Sequence, residues 1–274
     1  MLDKEERRLV YEHAYLPEHL PDYVEAISGA DAHLLDDYLC FRRRNHLIFV
    51  GYPLRNKRSD REKAYDSACE RFRPSTVAII APEIWLPPQT YEAQPQDSYY
   101  SLDLPLASID PEVAYMVRRA GRELRVEEGA FGKEHKRLVK AFLSSHPLSQ
   151  EQKEIYKGIP RYLKRSRSTL LLDARKEDDL VAFNIVDMGS ADYAFYLFNI
   201  RSPKVSVPGA SDLLFHEMVC LAQAQEKKAL NLGLGIHPGV RRFKEKWGGT
   251  HFLTHASALV TRKTLEMGRL ADKL

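Results

Sequence analysis

Between Phe198 and Gly249 the sequence gathers residues suited to holding an anion and moving a proton. Arg201 follows an aromatic, β-branched run, Ala194 to Ile200, and precedes a polar loop containing Pro203, Pro208 and Gly209. A guanidinium there reaches a phosphate or carboxylate docked at the next helix start, or pairs with Asp212 on the surface. Pro208, Gly209 and Ala210 lead into that helix, Ser211 is placed to cap it, and Asp212 lies in its first turn. The free N–H groups of a helix start receive anions. Asp212 either orients Arg201 or is an ordinary helix-start charge that competes for the same dipole.

Further along stand Asn231, Gly233, Gly235, His237 and Gly239. Asn231 hydrogen-bonds a substrate or ties down the loop after its strand. The glycines allow close backbone approach at that strand's end. His237 is a candidate general base in a loop, and His216 and Glu217 are others, pointing apart because they are adjacent on a helix. Arg241, Arg242, Lys244 and Lys246 put four cations in six positions, suited to a phosphate-rich donor or to a solvated face. Phe243 and Trp247, four apart, pack that helix onto the sheet. Two more basic clusters, Arg42–Arg44 and Arg161–Arg167, form a nucleic-acid track with it or plain solvated surface. His251 and His255 lack a third ligand nearby, so no metal site is expected.

These residues need a scaffold. Helical patterns cover Asp3–His13, His19–Ser28, Ser59–Phe72 (with Ser59 and Glu62 as a capping box), Pro111–Ala120 and Glu134–Phe142. Ser149 caps a further helix to Leu163, interrupted near Gly158-Ile159-Pro160. Strand patterns cover Ala32–Cys40, His46–Tyr52, Thr76–Ala81, Ser98–Leu104, Arg122–Glu127, Thr169–Ala174, Leu180–Met188, Tyr193–Ile200, Ala229–Leu234 and His251–Thr261. Phe41–Asn45 reads as a turn and Pro82–Gln96 as a loop. Leu214, Met218 and Leu221 recur at helical spacing after Ser211, and Lys227 and Lys228 fall in that helix's last turn. A short charged helix ends the chain. Two helices, paired strands, then helix and strand occur in both halves. The reading is α/β, with an N-terminal domain over 1–130 and a C-terminal domain over 131–274, divided at Gly129–Gly132.

Of 274 residues, 44% are hydrophobic and 29% charged, which predicts a globular, soluble chain. The net charge of +3 neither demands nor excludes nucleic acid. No apolar run approaches the roughly 20 residues that span a bilayer, and the N-terminus carries no signal-peptide core. Cys40, Cys69 and Cys220 make no zinc spacing or disulfide framework, so a cytoplasmic location, if anything peripheral to a membrane, is expected. Cys40 and Cys220 are expected in the core.

The ordered set Asn199-Ile200-Arg201, Pro208-Gly209-Ala210, Asn231-Leu232-Gly233, Pro238-Gly239 and Phe243–Gly249 resembles the phosphatidylglycerol lysyltransferase C-terminal (DUF2156) and FemABX-like families of the GNAT acyltransferase superfamily. It departs from the ordinary acetyl-CoA loop, which carries more glycine, and lacks the tyrosine often used there as general acid. The resemblance implies two tandem GNAT-like domains with mixed sheets flanked by helices. It also implies transfer of an acyl or aminoacyl group to an amine or hydroxyl on a small-molecule, lipid or peptide acceptor. The two families point to an aminoacyl-tRNA donor and the superfamily to an acyl-CoA. His237 and Asn231 are then the catalytic candidates. Arg201, Pro208, Gly209, Ala210, Ser211, Asp212, Gly233, Arg242, Lys244 and Lys246 are the donor-binding ones. The rival reading is a non-catalytic GNAT-fold module that binds a small acidic ligand or a protein.

Overall fold

A capping box starts the first helix. Asp3 accepts from the Glu5 and Glu6 N–H groups, each at 2.8 Å, and Glu6 accepts from the Asp3 N–H at 2.9 Å. In the computed structural model, which describes residues 1–55 and 59–262, this helix is α1 (Lys4–His13). There follow α2 (Pro21–Ser28), β1 (Asp31–Leu35), β2 (Tyr38–Arg43), β3 (His46–Val50), α3 (Arg61–Phe72) and β4 (Thr76–Ala81). Next come β5 (Glu92–Ala93), β6 (Asp97–Asp103), α4 (Pro111–Gly121) and β7 (Arg125–Glu128). Three helices, α5 (Lys133–Ser145), α6 (Gln150–Lys157) and α7 (Ile159–Arg165), lead to β8 (Thr169–Lys176), β9 (Asp179–Asp187) and β10 (Tyr193–Arg201). The chain continues through α8 (Ala210–Ala224), β11 (Ala229–Leu234), α9 (Pro238–Lys246) and β12 (Thr250–Thr261).

Two compact units result. One holds Met1–Leu2, Ala30–Gln96 and the described residues from Thr254 to Arg262; the other holds Asp3–Gly29 and Asp97–Leu253. In the first unit the strand order is β1-β2-β3-β4-β12, with β5 also on β12; β3 and β4 are parallel and the other pairs antiparallel. In the second the order is β6-β11-β10-β9-β8-β7, with β10 and β11 the one parallel pair. The units repeat one plan. An antiparallel run ends in a strand, a helix crosses over, and a parallel strand follows: β3-α3-β4 in one, β10-α8-β11 in the other. The strand beyond that parallel pair comes from a distant part of the chain in each unit, β12 in the first and β6 in the second.

Alternation sets the core of the second unit. On β9, Ala182 and Val186 face α4 and α8, while Phe183 and Ile185 face the layer containing α2, α5 and α7. Both faces are covered, so β9 is buried from Leu180 to Asp187.

Several expectations change. The division near residue 130 falls inside the second unit, where the Gly129 N–H donates to Leu171 O at 2.7 Å. The two N-terminal helices, α4 and β7 also belong to that unit. Ala32–Cys40 is not one strand: Asp36 turns the chain at φ +51 and Phe41 joins β2. Asp60, not Ser59, caps α3, accepting from the Lys63 N–H at 2.9 Å; Ser59 Oγ donates to the Tyr38 hydroxyl. The Pro82–Gln96 loop includes a 3-10 turn at Pro88–Thr90 and the short β5. α8 ends at Ala224, so Lys227 and Lys228 lie beyond it and donate to Ser190 O and Asp192. Cys40 is buried, but Cys220 is exposed beside His216. The expected final charged helix lies outside the described residues.

Gly209 caps α8 at φ +86, where a Cβ would come within 2.4 Å of Met116 O on α4. Gly209→Ala should therefore destabilise the protein by about 3 kcal/mol, read by denaturant unfolding.

Candidate functional site

β10 and β11 pair over three residues only, Tyr193–Phe195 against Ala229–Asn231. Both then bulge: β10 shifts register against β9 between Tyr196 and Phe198, and β11 against β6 between Asn231 and Gly233. β10 continues on β9 to Arg201, and β11 continues on β6 to Leu234. Two neighbours in one sheet thus part company, and each loses its ladder on the side facing the other. Such an opening offers backbone donors and acceptors to an extended chain, as a sheet edge does.

Asn231 stands where the strands part. It is fully buried; its Nδ2 donates to Tyr15 O at 2.7 Å and its Oδ1 accepts from the Gly233 N–H at 2.8 Å. Its amide is committed to the scaffold, so it positions the opening. Gly233 follows at φ +71, and a Cβ there would lie 4.0 Å from both Lys244 Nζ and Tyr196 O. These three groups therefore meet at the start of the opening.

Lys244 was expected as a surface cation for phosphate. Its side chain is instead buried, with 3% of the residue exposed, and Nζ donates to Leu234 O. The ammonium lies 5.4 Å from the centre of the Tyr100 ring. Burial lowers its pKa to about 7, against a smaller upward pull from Asp97. The Asp97 carboxylate accepts from the Gly235 and Ile236 N–H groups, at 3.2 and 2.8 Å, and shapes the turn between β11 and α9. Tyr100 OH contacts His251 Nε2 at 2.8 Å. Tyr196 lies parallel to Phe243, centroids 6.2 Å apart, and edge-on to Phe215 at 5.2 Å. Burial, with Asp212 nearby, raises the Tyr196 phenol.

α8 begins at Gly209 rather than Ser211, with Pro208 exposed before it and Ala210 in the core. Ser211 Oγ donates to Asn199 Oδ1 at 2.8 Å, and Asn199 in turn donates to buried Asn184. Asp212 is buried; it accepts from Trp247 Nε1 at 3.0 Å and pairs with Lys246. It therefore anchors α9 to α8 and leaves Arg201 without it. Arg201 is exposed at the end of β10; among the described residues it makes no side-chain ion pair, and its charge acts on Tyr196. Arg242 is exposed on α9. His237 is exposed and caps α9, its Nδ1 accepting from the Val240 N–H at 3.4 Å. Among the described residues no three His, Cys, Asp or Glu side chains are grouped to hold a metal ion.

Tyr100, Tyr196, Asp97 and Asn199 were missed as site residues. Tyr100 and Asp97 lie on β6, over 90 residues before the motif, and pairing with β11 brings them in. Asn199 opens the motif and Tyr196 lies just before it on the same strand, with no spacing signal to separate them from core strand residues.

The sequence matches no protein-family model and no curated protein. Solved structures share its fold. The C-terminal domain (DUF2156) of a putative lysylphosphatidylglycerol synthetase from Agrobacterium fabrum is similar over 98% of this chain and 94% of that one, with 13% identity and a TM-score of 0.64. FemX is similar over 93% of this chain and 96% of its own, with 11% identity and a TM-score of 0.66. A tandem GNAT protein from the clavulanic acid biosynthesis pathway is similar over 83% of this chain and 79% of its own, with 10% identity and a TM-score of 0.51. The fold is thus α/β with tandem GNAT-like units. Its structural neighbours include both families that the Asn199–Gly249 pattern resembles.

The buried lysine gives a stability test. The unfolded chain keeps this proton up to about pH 10.4, whereas the folded chain releases it near 7. Between those values the unfolded state binds more protons, so wild-type stability rises with pH. Lys244→Met removes that slope, so its stability relative to wild type should fall between pH 6 and pH 10, by about 4 kcal/mol at most. Urea midpoints of both proteins at the two pH values read this.

Proposed function

We propose that the chain is a transferase that moves an acyl or aminoacyl group from an activated donor to an amine or hydroxyl, at the opening between β10 and β11. The observation that carries this reading is Lys244, a buried ammonium of pKa about 7 placed where the two strands part. Acyl transfer develops negative charge on the carbonyl oxygen, and a desolvated ammonium stabilises it more strongly than a solvated one. A pKa near neutrality also lets Lys244 give its proton to the leaving group. The bulged backbone at Leu197 supplies an unpaired stretch of β10 beside the same place. Arg201, at the far end of β10, is free to hold a donor phosphate.

Of the two donors, an aminoacyl-tRNA is the better supported. Gly209 is the one glycine at the α8 start, and the buried Asp212 charge in the first turn disfavours a diphosphate there. One fold neighbour is a putative synthetase of lysylphosphatidylglycerol, an aminoacylated lipid. The acceptor in this reading is a small molecule, lipid or peptide carrying an amine or hydroxyl. Among the described residues no helix is long and apolar enough to cross a membrane.

A mixed pool of radiolabelled aminoacyl-tRNAs, and separately labelled acetyl-CoA, incubated with amine, peptide and anionic-lipid acceptors tests the proposal. Label should leave the tRNA in wild type, and Lys244→Met should slow transfer about 100-fold or more. Because the ammonium is the active form, kcat/KM should fall as pH rises through about 7. Transfer from acetyl-CoA alone would reverse the donor assignment. Stable binding of either donor without turnover would establish the binding-module reading instead.

A further inference from the structure

The second unit carries a second concavity, away from the transfer opening. It is a groove of about 430 Å³ whose lining includes Lys4, Arg7 and Arg8 of α1, Arg165 of α7, and Arg167 and Ser168 before β8. It lies where β8 begins and β9 ends: Thr169 pairs with Asp187, and Asp187 with Phe195. The transfer opening starts one residue further along, at Tyr196 paired with Val186, and runs away from that end of the strands toward Arg201, paired with Ala182.

The cations are built in from segments more than 150 residues apart, and they fall into two sets. Arg7 pairs with Asp22 and Glu25, both at 3.0 Å, and Arg165 pairs with the same two carboxylates. Glu25 is nearly buried, so this four-membered cluster locks α1, α2 and α7 together. The buried Asp187 carboxylate beneath is saturated by Tyr162, Ser166 and Ser168 hydroxyls and the Gly189 N–H. Lys4, Arg8 and Arg167 have no ion-pair partner among the described residues and are exposed. Five cations thus face three carboxylates, and every one of those carboxylates is already satisfied. Three unpaired like charges around one concavity repel one another, and an anion seated between them relieves this.

We propose that this groove binds a small phosphate monoester, its dianionic phosphate held by Arg8, Arg167 and Lys4. The excess of two positive charges matches one such dianion. The volume is enough to hold a nucleotide or sugar phosphate. A long phosphodiester strand fits less well, since Glu5 and Glu12 are exposed along α1 and break the basic track. The proposal is independent of the transfer reading.

Calorimetric titration with inorganic phosphate and adenosine 5′-monophosphate at low salt tests it. Wild type should bind both, and Arg8→Gln with Arg167→Gln should weaken binding about 100-fold. Lys244→Met should bind as wild type does, which separates this site from the transfer opening. The two arginines have no partners to lose, so the unliganded melting temperature should hold; Lys4→Gln with Arg167→Gln provides a second variant. Equal binding in wild type and both double variants would overturn the proposal. So would binding of single-stranded RNA that phosphate does not compete away, which would make the groove a polymer track.

Discussion

A three-residue parallel pairing, Tyr193–Phe195 with Ala229–Asn231, governs the second unit. Were it longer, β10 and β11 would close into an ordinary sheet and no slot would exist. The two bulges and the buried Asn231 amide hold the strands apart at the cost of lost ladder bonds. Packing elsewhere has to offset that cost. α8 does so, laying Leu214, Phe215 and Met218 on the sheet, with α4 behind it through the close Gly209–Met116 approach.

Electrostatics follows from this frame. α9 is tied down by Asp212, which accepts from the Trp247 indole and pairs with Lys246. With that helix fixed, Lys244 is held under cover with 3% of the residue exposed, and its ammonium is desolvated. The four cations of the RRFKEK run therefore have unlike fates: Lys244 is buried beside the opening, Lys246 is spent on a structural carboxylate, and Arg241 and Arg242 remain on the surface. A charge run in sequence does not distinguish these, because which side of a short helix faces the sheet depends on its docking.

The two units also illustrate how a repeated plan is assembled from non-contiguous chain. β6 follows the first unit in sequence yet belongs to the second, and β12 follows the second yet belongs to the first. Strand pairing is non-local, so a break in local composition such as Gly129–Gly132 does not locate the units. Gly129 is instead pressed against Asp173, where a Cβ would come within 2.5 Å.

Local physics was legible in the residues themselves. Aromatic and β-branched runs determined β3, β4, β9 and β10, and the Ser149–Gln152 capping box determined the start of α6. The ordered pattern from Asn199 to Gly249 likewise pointed to the fold, because strand, helix start and crossover helix are each short-range features. What tertiary structure alone decided was how distant segments meet. It placed Tyr100 and Asp97 at Lys244, turned Asn231 from a candidate catalyst into a brace, and gave the α8 cap to Gly209 instead of Ser211. Desolvation of Lys244 depends on everything packed around it, so its chemistry is a property of the folded neighbourhood and not of any spacing in the chain.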